Sequence, residues 1–317
     1  MLRDPDLEPA AIRAAHASLP AVFRDTPQYV HDGLSHLAGR PVIVKVETAN
    51  PIRSFKGRGT WIAVGALAAD GRLSAARPVV CASAGNFGQG VAYAARALGV
   101  PAVVFCSTNA NPGKVARMRA LGATVHEVGD DFDSARVSAE RFADEGGGEL
   151  LVDGDDVRIA TGAATLALEV TDAVGRDALP PLAIASIPVG NGALINGVAS
   201  WLRAEARDCH VLGVQAELAD AMTRSWRAGR PIDTGSAATY ADGIASRIAI
   251  PRAVDLLDGR VDAMVTVSEA ELREAQDVLT VELGVTVEGA AAATLAGLRH
   301  ADKTDGAALL VITGSNI

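Results

Sequence analysis

Lysine is scarce in this chain: of 29 basic residues among 317, only Lys45, Lys56, Lys114 and Lys303 are lysines, and arginine supplies the rest. A lysine is therefore not the default surface cation, and each one calls for a local reason. Cysteine is scarcer still. Cys81, Cys106 and Cys209 are odd in number, scattered and without CxxC spacing, which speaks against a disulfide framework or a cysteine zinc site and fits a reducing compartment. Aromatic residues make up 4% of the chain while 49% is hydrophobic, so the core must be built from Ala, Val, Leu and Ile, as in parallel strands buried under helices. No segment offers an apolar run long enough to span a bilayer, and the N-terminus, Met1-Leu2-Arg3-Asp4-Pro5-Asp6, lacks the apolar stretch of a secretory signal. Positive charge is short as well. A formal net charge of −9 and a pI of about 5.2 argue against nucleic acid or an anionic membrane as partner and favour small molecules. A cytoplasmic protein is expected.

What is present is alternation. Short β-rich runs at 42–47, 78–82, 101–106, 124–128, 182–187, 210–215, 263–267 and 307–312 are separated by longer helical stretches, among them 57–69, 86–98, 112–121 and 133–143. This is the pattern of a mostly parallel sheet covered on both faces. The length suits two domains. Between them, Asp144-Glu145-Gly146-Gly147-Gly148-Glu149 is expected to be irregular, since three glycines among acidic residues hold no regular structure. The resulting expectation is an α/β fold of two domains with mostly parallel twisted sheets: a small one at 78–149 and a large one formed by 1–77 and 150–317.

Four stretches carry chemistry. Ser54-Phe55-Lys56-Gly57-Arg58-Gly59 places a nucleophilic amine at a strand-to-helix junction. Ser83-Ala84-Gly85-Asn86-Phe87-Gly88-Gln89-Gly90 follows a strand and opens a helix, where small residues let backbone amides approach an anion. Pro188-Val189-Gly190-Asn191-Gly192-Ala193-Leu194 repeats that arrangement as a second cradle. A dinucleotide reading of the same loop takes Gly190 and Gly192 as its first glycines and Glu217 as the ribose acceptor, but Ile195 stands where the third glycine belongs. Last, Thr313-Gly314 puts a hydroxyl at the carboxyl edge of a strand, where open α/β sheets bind ligands. Taken singly, each also reads as a solvated charge, a capping turn or a plain loop.

Taken in order, Ser54-Phe55-Lys56, Ser83-Ala84-Gly85-Asn86, Pro188-Val189-Gly190-x-Gly192, Glu288-Gly289 and Thr313-Gly314 resemble the tryptophan-synthase-β type of pyridoxal-phosphate enzyme. Within that type the chain is most similar to the threonine/serine dehydratase and serine racemase group, over essentially its whole length. The resemblance implies pyridoxal 5'-phosphate in the cleft between the domains. Lys56 would carry it as a Schiff base and then remove the substrate's α-proton. Phe55 would pack near the ring, Asn86 would bond the ring hydroxyl, and Gly243 and Glu288 would stand close to it. Thr313 would face the ring nitrogen. The amides of Gly190, Asn191, Gly192, Ala193 and Leu194 would hold the phosphate, and Ser83, Ala84, Gly85 and Asn86 the substrate carboxylate. The implied reaction is dehydration and deamination of a small hydroxy amino acid such as L-threonine or L-serine, in a homodimer.

Departures from the family pattern bear on the substrate. Asn191 interrupts what is usually a run of glycines, and Phe87 stands where histidine is usual. These keep a β- or γ-replacement enzyme in view, with a nicotinamide oxidoreductase and a catalytically silent binding protein behind it. No metal ligand is assigned, because Thr223 falls where a second carboxylate would accompany Glu217. With Ala84 where related racemases have serine, a lyase is expected over a racemase. Since four residues follow Thr313, isoleucine control through an appended regulatory domain is expected to be absent.

Overall fold

A computed structural model describes residues 4–302 and 305–317; residues 1–3 of the N-terminus discussed above, and Lys303, lie outside the described residues. The strands are β1 (Gln28–Val30), β2 (Val42–Val46), β3 (Val79–Ala82), β4 (Ala102–Cys106), β5 (Thr124–Glu127), β6 (Glu149–Leu150), β7 (Leu182–Pro188), β8 (His210–Ala216), β9 (Ala263–Val267) and β10 (Ala307–Ile312). The helices are α1 (Pro9–Ser18), α2 (Asp32–Ala38), α3 (Lys56–Ala69), α4 (Asn86–Leu98), α5 (Pro112–Ala120), α6 (Phe132–Phe142), α7 (Val157–Gly175), α8 (Ala193–Glu205), α9 (Ala221–Ala228), α10 (Pro251–Leu257), α11 (Glu269–Leu283) and α12 (Gly289–Leu298). Every strand and helix expected by position is found, with ends within one residue.

Two sheets result. One runs β1-β2-β10-β7-β8-β9, with only β1 antiparallel; the other runs β5-β4-β3-β6, all parallel. The inner strands bury both faces by strict alternation, while the edge strands β1 and β5 are largely exposed. In β10, Ala307, Leu309 and Val311 enter the core under α7 and α8, while Ala308, Leu310 and Ile312 enter the core under α11 and α12. In β3, Val79 and Cys81 pack toward α3 and α4, and Val80 packs toward α6.

The stretch 144–149 corrects the expectation of an irregular loop. Ala143–Gly147 makes a π-helical turn in which Gly146 takes φ 85°, and Glu149 opens the short strand β6, paired with Val79. The reason is electrostatic: the Glu149 carboxylate is fixed by Arg77 at 2.6 Å and by Arg72.

Two features set the position of α3. Beneath it lies a buried ionic cluster. Arg58 donates to Glu47 at 2.8 and 3.0 Å, to Glu169 at 2.7 and 2.9 Å, to Thr165 at 2.9 Å and to Thr26 at 3.0 Å, while Lys45 donates to Glu169 and to the Thr26 carbonyl. Two cations meet two carboxylates, so the buried charge is neutral and its donors are used. Beside it, three helices touch backbone to backbone. A methyl on Gly59 would lie 2.5 Å from the Ile159 carbonyl of α7, one on Gly162 would lie 2.5 Å from the Gly59 Cα, and one on Gly197 of α8 would lie 2.1 Å from the Ala160 carbonyl.

Candidate active site

The loops at the carboxyl ends of β2, β3, β6, β7 and β10 converge on one cavity of about 630 Å³. Parallel sheets present their binding loops at that edge. After β2, the side chain of Asn50 knots the chain: Oδ1 accepts from the amides of Ile52 at 3.1 Å and Ser54 at 3.3 Å, and Nδ2 donates to the Glu47 carbonyl at 2.7 Å. The knot delivers Phe55 to the end of β10, where its amide donates to the Thr313 carbonyl at 3.0 Å. Lys56 then begins α3 with its amine in the cavity, 4.9 Å from the Phe55 ring centre and 5.7 Å from that of Phe87.

The amine has a partner that the sequence did not single out. Lys56 Nζ donates to Asp153 Oδ2 at 2.6 Å, and the two side chains are only 15% and 12% exposed. Asp153 Oδ1 is buried with no hydrogen-bond partner among the described residues. The loop between β6 and α7 is locked by Gly154, which takes φ +92° and approaches Asn191 so closely that a methyl would lie 2.3 Å from its carbonyl oxygen. Asp153-Gly154-Asp155-Asp156 after a strand was the signal available.

Two helix starts face the cavity. At the first, Ser83 Oγ accepts from the amides of Gly85 at 3.1 Å and Gly88 at 2.9 Å, so this hydroxyl caps α4 rather than standing free. Ala84, Gly85 and Asn86 line the cavity beside it. At the second, α8 begins without a side-chain cap, after Gly192 at φ +93°. A methyl on Gly190 would come 2.6 Å from the Gly243 carbonyl. Here the first amides of the helix, which have no partner within it, point where an anion can sit. Gly190, Asn191, Gly192, Ala193 and Leu194 all line the cavity, as does Gly243. Asn191 Oδ1 accepts from Ser246 Oγ at 2.7 Å, tying the cradle to the chain segment above it.

On the remaining wall Glu288 is buried among amides. Asn86 Nδ2 donates to its two oxygens at 3.0 and 2.9 Å, and the Asn316 amide donates at 2.7 Å. Burial pushes its carboxyl up to about 7, against the pull of the Lys114 ammonium. Thr313 is buried at the end of β10 and lines the cavity. Asn316, missed in the sequence, also donates to Asn86 Oδ1 at 2.8 Å. Across the mouth, Lys114 pairs with Asp242, and Arg247 Nε donates to Asp133 at 2.8 Å. Glu217, the acceptor a dinucleotide would need, is exposed and away from the cavity, and the Thr223 hydroxyl donates to Gln215 at 2.9 Å.

The chain is similar to known proteins over nearly its whole length. The family described as pyridoxal-phosphate dependent enzyme matches residues 21–314. The L-threonine ammonia-lyase of Thermotoga maritima is 33% identical over 307 residues, 96% of this chain and 75% of the relative. The phenylserine dehydratase of Ralstonia pickettii is 34% identical over 294 residues, 93% of this chain and 87% of the relative. Among solved structures, the processed threonine deaminase isoform 2 of Solanum lycopersicum superposes with a TM-score of 0.88 at 26% identity, over 99% of this chain and 91% of its own. Maize serine racemase, at 24% identity and a TM-score of 0.86 over 96% of this chain and 92% of its own, shares the fold.

Proposed function

The chain belongs to the pyridoxal-phosphate-dependent enzymes, and from there we propose that it is a lyase that dehydrates and deaminates a small hydroxy amino acid such as L-threonine or L-serine to a 2-oxo acid and ammonia. The observation that carries this reading is that the Lys56 amine shares one cavity with an uncapped helix start. There, a side chain on Gly190 would collide with the Gly243 backbone, and Gly192 takes a φ of +93°. A phosphate fits that start without any cation, and an aldehyde fits the amine. When bound, pyridoxal phosphate supplies that aldehyde and a ring that withdraws electrons from the substrate's α-carbon. The names of the L-threonine ammonia-lyase and phenylserine dehydratase relatives support the substrate class.

Each residue then has a task. Lys56 holds the cofactor and takes the α-proton. The amides of Gly190, Asn191, Gly192, Ala193 and Leu194 bind the phosphate, and Phe55 and Gly243 flank the ring. Asn86, held by Glu288 and Asn316, stands at the ring hydroxyl. Thr313 faces the ring nitrogen. The start of α4 from Ser83 to Asn86 receives the substrate carboxylate, with the Ser83 hydroxyl committed to capping. Residues 78–149 form the smaller of two domains, and the working form is a cytoplasmic homodimer, in keeping with the family resemblance and the acidic pI of about 5.2.

Elimination needs a proton acceptor on one face of the α-carbon, whereas racemisation needs one on each. The methyl of Ala84 offers nothing on the second face. Purified protein should therefore be yellow, and should release ammonia and 2-oxo acid from L-threonine or L-serine with little α-epimer. Ala84→Ser should raise that trace of epimer. A colourless protein, or rapid accumulation of the D-amino acid by the wild type, would overturn the assignment.

A further inference from the structure

We propose that Asp153 is the acid that protonates the departing β-hydroxyl, reloaded through Lys56; the inference rests on the elimination reading above. Loss of hydroxide from an amino acid is slow unless a proton reaches the oxygen as the bond breaks. The donor must therefore lie in the cavity, near Lys56, with an oxygen free to meet the substrate. Asp153 meets all three conditions: it lines the cavity, Oδ2 is 2.6 Å from the Lys56 amine, and Oδ1 is buried with no partner among the described residues.

The other carboxylates lining the cavity are engaged elsewhere. Glu288 takes three amide hydrogens from Asn86 and Asn316, Asp242 is paired with Lys114, and Asp133 with Arg247. Asp131 caps α6 through Ser134 at 2.8 Å. A buried carboxylate oxygen left without a donor is costly, and a substrate hydroxyl satisfies it. Gly154 keeps the carboxylate from retreating, since its backbone is pressed against Asn191.

The proton balance closes within the pair. The Lys56 amine takes the α-proton, and the electron pair of that C–H bond becomes the Cα=Cβ bond. The Lys56 ammonium passes one proton across the hydrogen bond to the Asp153 carboxylate. The carboxyl turns about its Cβ–Cγ bond and gives the proton on Oδ2 to the β-oxygen, which leaves as water with the electron pair of the C–O bond. Both side chains return to their starting state.

The test compares two leaving groups on the same enzyme. Chloride departs from β-chloro-L-alanine without a proton, whereas hydroxide needs one. Holoenzyme and its Asp153→Asn and Asp153→Ala variants are assayed for 2-oxo acid from β-chloro-L-alanine and from the hydroxy amino acid the wild type turns over fastest. Loss of a general acid should lower kcat/KM for the hydroxy substrate ~100-fold or more, and for the chloro substrate no more than ~5-fold. Borohydride treatment without substrate, read by peptide mass, should label Lys56 in the variants as in the wild type, showing that Asp153 is not needed to attach the cofactor. Equal losses on both substrates, in either variant that takes up cofactor, would reduce Asp153 to a structural role and overturn the proposal. So would near-wild-type turnover of the hydroxy substrate by Asp153→Asn. A wild type that eliminates from neither substrate would instead sink the elimination reading itself.

Discussion

Lys56 and Arg58 lie two residues apart on the first turn of α3, yet their surroundings differ in every respect that matters to chemistry. Arg58 is fully buried and donates six hydrogen bonds, to Glu47, Glu169, Thr165 and Thr26. Lys56 reaches into an open cavity and meets a single carboxylate whose second oxygen is unpaired. A saturated cation holds structure, because any displacement leaves buried charges without partners. An unsaturated one can exchange its partner for a ligand. The same contrast separates Glu169 from Glu288: both are buried, but the first is surrounded by cations and the second by amides.

The comparison can be broken from either side, and the largest effect is expected at Lys56. Lys56→Ala should lower turnover by about 10⁴-fold or more while the far-ultraviolet dichroism stays that of the wild type, since the residue supplies chemistry and little packing. Steady-state ammonia release within tenfold of wild type would end its claim to the site.

At the saturated end the expected loss is of stability. Glu169→Gln removes the shared carboxylate from Lys45 and Arg58 and should lower the unfolding free energy by about 3–5 kcal/mol, measured by denaturant titration. Burial alone would raise the Glu169 carboxyl, but His16, Arg58 and Lys45 together hold it far below its ordinary 4.5. A depressed acid stabilises the fold above its unfolded pKa, and that contribution is lost as pH falls toward its folded one. The variant should therefore show a flatter acid limb. An unchanged midpoint would mean that the cluster is not what anchors α3.

The smallest effect sharpens the contrast at Glu288. Its carboxyl is raised by burial from 4.5 to about 7, so the sign is opposite. Its contribution is complete below about pH 4.5 and fades as pH rises to and through 7, by about 3 kcal/mol at most. Glu288→Gln should flatten that slope in unfolding experiments across the same range. A variant that keeps the wild-type slope would show that another group titrates there.

The fold was legible because its signals are local and periodic. Buried parallel strands such as β4 and β10 are unbroken apolar runs, and glycines soon after α4 and α5 mark their ends. The cavity's glycine loops and Lys56 were legible because each sits at a strand-to-helix junction in an order shared with a known family. Asp153 was not, because its meaning depends on a contact 97 residues away in sequence with Lys56. Strand β6 was hidden for a similar reason: Glu149 is polar and becomes buried only where Arg72 and Arg77 neutralise it. Asn316 looked like a loop residue until the chain end folded back onto Asn86.

The glycine contacts among α3, α7 and α8 give the site its tolerance, in the engineer's sense. Lys56 begins α3 and the 190–193 cradle leads into α8, and both helices are set directly on the backbone of α7 through Gly59, Gly162 and Gly197. The spacing between amine and cradle is thus gauged by one helix with no side chain as a shim. Ordinary van der Waals contact begins near 3.4 Å, so a methyl held at 2.5 Å would force the helices apart by roughly an ångström. A displacement of about that size can cost on the order of 100-fold in rate. The fit between base and cradle is kept by atoms that α3, α7 and α8 do not carry.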